Sequence, residues 1–148
     1  MNVEAYPFNA NSDKLVFQFE SVSNHKTIFK EVRYTLISDG EPFIYNLFLG
    51  DYNLIDGTIS DMTISNNQDM ENILATVAQT MIEFLSLRPD CLILFTGSTQ
   101  SRTRLYRIAI SNYLNEFEDF FVVYGRINNE IEPFAANRAY DAFVITLK

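Results

Sequence analysis

Hydrophobic and polar positions alternate along the first third of the chain. Leu15, Phe17 and Phe19 are interleaved with Val16, Gln18 and Glu20, the period-two signature of a half-buried strand. After a turn at Ser21 to His25 the alternation resumes over Lys26 to Ser38. Ile28, Lys30, Val32, Tyr34 and Leu36 share one face there, and Thr27, Phe29, Glu31, Arg33 and Thr35 the other. Asp39-Gly40 is a turn signal. Phe43 to Leu49 reads as a third strand that Gly50 and Asp51 break, and Thr58 to Ile64 as a shorter fourth after Asp56-Gly57. Residues 1–13 are polar and turn-rich and read as a loosely ordered lead-in.

The period then changes. Met70, Ile73, Leu74, Val77, Ala78, Met81, Phe84 and Leu85 recur at spacings of three and four, one apolar stripe on a helix. Asn66 or Asn67 is placed to cap it, Asp69 and Glu71 complement the positive end of its dipole, and Arg88-Pro89 stops it. Cys91 to Thr96 is a continuous apolar run, predicted to be a central strand buried on both faces. Gly97-Ser98-Thr99 turns into a second helix over Gln100 to Asn115, whose buried side is predicted to carry Leu105, Ile108, Ala109 and Leu114. Strands over Phe120 to Ile127 and Tyr140 to Leu147 finish the chain, with Asn128-Asn129 as a hairpin tip and 133–138 irregular. Strands first and helices in the middle predict an α+β fold: a curved, largely antiparallel sheet with two helices packed on one face. At 148 residues, without repeats or linker-like joins, residues 1–148 read as a single domain.

Charge adds the first functional constraint. Eleven basic residues against nineteen acidic ones give a net charge of −8, which repels duplex DNA and anionic lipid. Yet Cys91 to Asn115 contains no acidic residue and holds Arg102, Arg104 and Arg107. One basic site on an acidic body suits a discrete anionic ligand or an acidic protein partner. The single cysteine, Cys91, excludes an intramolecular disulfide and points to a reducing compartment. In its apolar run it reads as a small buried hydrophobe. The first residues lack a basic segment and an apolar core, and no apolar stretch is long enough to span a bilayer, so a cytoplasmic location is expected.

The strand-to-helix turn carries the main candidate site: Gly97, Ser98, Thr99, Ser101, Arg102, Thr103, Arg104 and Tyr106. The first N–H groups of a helix have no intrahelical acceptor and sit at the positive end of its dipole, so they attract anions. Gly97 allows close approach, the hydroxyls add hydrogen bonds, and the arginines present forks that match phosphate or carboxylate. Tyr106, four residues after Arg102 and seven before Tyr113, could pack beside the ligand, although tyrosines at that spacing also rim cores. The turn is neither a Walker A loop nor a dinucleotide fingerprint, and no cofactor is implied. Ordinary capping, with the arginines paired to surface carboxylates, is the competing reading.

Other constellations are weaker. Asp51, Asn53, Asp56, Gly57 and Asp61 approach a calcium loop, but Asp56 is one place late and Met62 stands where the closing glutamate belongs, so turn chemistry is expected and no metal. His25 is the only imidazole, in a Ser-Asn-His-Lys turn, and reads as a surface residue. The segment from Arg126 to Arg138 offers an edge strand that could pair with another chain.

Tyr45-Asn46-Leu47 with Gly50-Asp51, Leu74-Ala75-Thr76-Val77-Ala78, and Gly97-Ser98-Thr99 with Arg102-Thr103, Leu105-Tyr106 and Arg107 resemble an uncharacterised family of small bacterial proteins found mainly in Bacteroidetes. The resemblance covers most of the chain. It implies a bacterial cytoplasmic protein and supplies no catalytic residue. The leading expectation is a noncatalytic binding module for a phosphate- or carboxylate-bearing ligand or an acidic partner. One alternative is an enzyme acting on a phosphorylated small molecule or RNA, with His25, Asp51 or Glu31 as base. Another is a protein-interaction component of a bacterial gene pair.

Overall fold

A computed structural model describes residues 4–22, 26–60 and 69–148. Its elements are β1 (Phe8–Ala10), β2 (Val16–Val22), β3 (Thr27–Ser38), β4 (Phe43–Tyr52), β5 (Ile59–Ser60), α1 (Met70–Leu87), β6 (Cys91–Phe95), α2 (Gln100–Asn112), α3 (Leu114–Glu118), β7 (Phe121–Ile127), β8 (Glu130–Pro133) and β9 (Ala142–Leu147). Eight strands lie across an open sheet in the order β1-β2-β3-β4-β6-β9-β7-β8, and the short β5 adds to β4. Among the described strands only β4 and β6 pair in parallel, and α1 forms the crossover that such a pair requires. The fold is α+β, mostly antiparallel, with two main helices.

Register decides which side chains share a face. Phe17 lies opposite Val32 and Val32 opposite Leu49. Tyr34 faces Leu47, Leu47 faces Phe95, and Phe95 faces Phe143. Both helices cover this row. Phe84 of α1 stacks on Tyr34 at 4.1 Å between ring centres and meets the edge of Tyr45 at 4.9 Å. Tyr106 of α2 stacks on Phe95 at 4.4 Å. The apolar stripe of α1 from Ile73 to Leu85 is buried as its spacing predicts, and only Met70, in the first turn, stays exposed.

Several sequence expectations change. Residues 1–13 include β1, which pairs with β2 from Phe8 opposite Phe19 to Ala10 opposite Phe17. Gly50 and Asp51 do not break the third strand: β4 runs on to Tyr52, with Gly50 opposite the buried Glu31 and Asp51 opposite Lys30. A side chain at that point would crowd the Phe48 ring and Ile59, which would have to shift to admit it. Residues 61–64 of the expected fourth strand and the cap candidates Asn66 and Asn67 lie outside the described residues. The position preceding α1 is Asp69, whose carboxylate caps nothing and instead accepts from the Tyr6 and Ser21 hydroxyls, each at 2.5 Å.

The β6 run is more fully covered on one side than on the other. Cys91, Ile93 and Phe95 are buried while Leu92 and Leu94, on the opposite face, are half-buried. The second predicted helix is two pieces: α2 ends at Asn112, and the Tyr113 N–H divides between the carbonyls of Ala109 and Ile110 before α3 begins. Its buried side is also rotated from expectation. Thr103, Tyr106, Ala109 and Ile110 face inward, whereas Leu105 and Ile108 are exposed. Stacking on Phe95 and the tie from Thr103 to Gly97 set that rotation. Asn128 and Asn129, both at positive φ, form the β7–β8 hairpin tip as predicted.

Candidate anion-binding cleft

Pairing of β6 with β9 brings two segments far apart in sequence to the carboxyl end of β6. One is the 96–104 turn and helix start, the other the residues leading into β9. The Thr96 hydroxyl donates to the Asp141 carbonyl at 2.8 Å and joins them. Between them is a cleft of 530 Å³ walled by Thr96 to Gln100, Thr103, Arg104, Arg107 and Ala139 to Asp141.

Local chemistry explains the turn. Thr99 is the N-cap of α2, its hydroxyl accepting from the Arg102 N–H at 3.2 Å. The Thr103 hydroxyl accepts from the Gly97 N–H at 3.0 Å and donates to the Thr99 carbonyl at 3.1 Å. A Cβ on Gly97 would stand 2.6 Å from both the Arg102 Cβ and the Thr103 nitrogen. The close approach that needs glycine is therefore that of the helix's own first turn. Gly97→Ala is expected to cost about 1–3 kcal/mol by overpacking. Urea unfolding measures it, and an unchanged midpoint would mean that the turn accommodates the methyl.

The candidate residues divide. Thr99 and Thr103 are committed to the turn, and Ser98 and Ser101 are exposed at the helix start. Gln100 and Ser101 occupy the first two helical positions, whose N–H groups have no intrahelical acceptor. Arg104 and Arg107 line the cleft. Arg102, roughly 200° round the helix from Arg104, is half-buried on the other flank. Tyr106 is a core residue with 4% exposure. Tyr113 bonds to Glu71 of α1, and that carboxylate pushes its phenol up to about 12.

Arg107 and the 139–141 segment are new members of the site. Arg107 was legible as the third arginine of the run, three residues after Arg104. Nothing in the sequence marks 139–141, because only β9 pairing brings it there. Asp141 lines the wall, and its carboxylate is held by Arg126 in an ion pair at 2.9 Å. Next to it the Tyr140 ring lies flat against Gly125, where no side chain would fit, and its hydroxyl donates to Glu132.

A family model described as "Family of unknown function (DUF6934)" matches residues 2–148. The chain belongs to this family. No curated protein and no solved structure matches it. The family match spans the whole cleft, both the 96–107 wall and the 139–141 wall.

The other chemical candidates stand elsewhere. Glu31, 1% exposed, accepts from Gln18 at 2.7 Å and pairs with Arg33 at 2.6 Å. Asp51 pairs with Lys30, and neither carboxylate lines the cleft. His25 and Asp61 lie outside the described residues. The Thr58 hydroxyl and amide hold the Asp56 carboxyl below its usual range, as a closed turn does. Burial pushes the Cys91 thiol up. A concavity of equal volume near β1 is walled largely by apolar side chains such as Phe8, Phe29 and Leu54, and among the described residues its one basic member, Lys30, is already ion-paired. No helix among the described residues is long and apolar enough to cross a membrane.

Proposed function

We propose that the chain is a noncatalytic binding module that takes a phosphate or carboxylate group into the cleft between α2 and residues 139–141. By the motif resemblance it is a bacterial, Bacteroidetes-type protein of the cytoplasm. One observation carries the binding reading. Among the described residues Lys14, Lys30, Arg33, Arg126 and Arg138 are ion-paired and Arg88 is held by the Asp13 carbonyl and the Tyr45 and Phe84 rings, whereas no ion pair is formed by Arg104 or Arg107. On a chain of net charge −8, those two guanidinium groups face a single cleft beside the positive end of a helix. An anion there meets the Gln100 and Ser101 N–H groups and one or both forks.

The test is a backbone amide shift titration with inorganic phosphate and with acetate. Saturable shifts are expected at residues 97–101. Arg104→Ala/Arg107→Ala is expected to weaken them about tenfold or more, since a hydrogen bond to a charged group contributes about 1.5–3 kcal/mol. Both side chains reach solvent, so the urea midpoint should hold. Equal affinity in the double variant would reject the cleft as the site.

A further inference from the structure

Leu105 and Ile108 stand 48% and 43% exposed on the outer ridge of α2. With Ser101 and Asn112 they are spaced four, three and four residues apart, so one solvent-facing stripe runs along the helix. Arg104 borders that stripe and also lines the cleft. Gln100 to Asn112 carries Arg102, Arg104 and Arg107 and no acidic residue, so α2 itself sets positive charge beside this aliphatic stripe on a chain of net charge −8. A small free anion in the cleft has no use for the aliphatic ridge.

We infer that the anion entering the cleft is a carboxylate carried by an acidic segment of a partner protein. Aliphatic side chains of the same segment lie on Leu105 and Ile108. This rests on the anion-binding reading above and names the molecule that bears the anion. Charge complementarity selects the occupant: a negatively charged segment meets Arg104 and Arg107, and its apolar side chains cover the ridge. A single-stranded nucleic acid would need exposed aromatic rings on which to stack its bases. Here Tyr106 is buried against Phe95, Tyr113 is bonded to Glu71, and the exposed apolar residues of α2 are aliphatic.

The full chain, isotope-labelled, is titrated with four probes: inorganic phosphate, a peptide of glutamates alone, a peptide of equal length and charge in which glutamates flank leucines, and oligo(U). The leucine-containing peptide is expected to bind about tenfold more tightly than the glutamate-only one, the gain of one buried anchor, and to shift residues 97–101 together with Leu105 and Ile108. Leu105→Gln/Ile108→Gln, both helix-compatible and at exposed positions, should erase that advantage and leave the phosphate shifts unchanged. Equal binding of the two peptides, no response at Leu105 and Ile108, or tighter binding of oligo(U) would overturn the inference. Phosphate shifts that persist in those cases leave the cleft itself in place. Silence of residues 97–101 toward every probe removes both.

Discussion

Phe84→Ala is expected to lower the unfolding free energy by about 3–5 kcal/mol, the range for emptying a fully buried aromatic site. Phe84 has no exposed surface. It stacks on Tyr34 with an interplanar angle of 11°, meets Tyr45 edge-on, and carries the Arg88 guanidinium 4.7 Å above its ring. One side chain thus joins α1 to β3 and β4 and holds the residue that ends the helix. Natural domains are stable by only about 5–15 kcal/mol, so the loss is a large share of the total. Urea unfolding followed by tyrosine emission reads it, since the chain has no tryptophan. Phe84→Leu refills most of the volume without the ring contacts and should lose less. A loss in Phe84→Ala below about 1 kcal/mol would mean that α1 is held to the sheet mainly elsewhere.

Asp51→Ala should cost about 3 kcal/mol, the lower end for breaking a buried ion pair. The Lys30 ammonium and the Asp51 carboxylate stand 2.5 Å apart on the helix-covered face, with side-chain exposures of 6% and 20%. Removing the carboxylate leaves the ammonium where water reaches it poorly. Asp51 keeps a fifth of its side chain in solvent, which limits the penalty. Lys30→Met/Asp51→Leu removes both charges and should restore stability to near that of the parent, because a buried pair and an apolar pair of similar size are nearly equivalent. Chemical denaturation of the three proteins decides it. A double variant as weak as Asp51→Ala would show that the site tolerates charge better than carbon.

Local patterns carried much of the architecture. The alternation over 15–38 predicts β2 and β3, although β2 runs on through Ser21 and Val22, which read as a turn in the sequence. The spacing of three and four over 70–85 predicts α1 and its buried apolar stripe but not the burial of Ala75, Thr76 and Thr80. Both succeed because each element faces a large continuous core on one side, so its own period records its orientation. The second helix shows where that record fails. Leu105 and Ile108 are the apolar residues at helical spacing, yet Thr103 and Tyr106 face inward. A short helix pinned at one end by Gly97 and Thr103 takes its rotation from those contacts, and the aliphatic residues follow.

The candidate site divides the same way. Gly97, Thr99 and the arginine run were visible in the chain, because a small-residue turn before a helix is local chemistry. The roles within it were not. Thr103 reads as a ligand hydroxyl but serves the turn, and Arg102 lies on the far flank from Arg104. The family match adds membership over 2–148 without adding a role.

The sequence by itself determined the class of fold, the order of its main elements, the acidic balance with its one basic window, and a small-residue turn leading into an arginine-bearing helix. These follow from hydrophobic period, charge and backbone propensity, which act between near neighbours. Only the tertiary structure decided that β6 lies between β4 and β9, that residues 139–141 close the cleft, and that α2 turns its aliphatic ridge to solvent. Those depend on strand register and on contacts between distant residues, and such pairings leave no trace in the spacing of either segment alone.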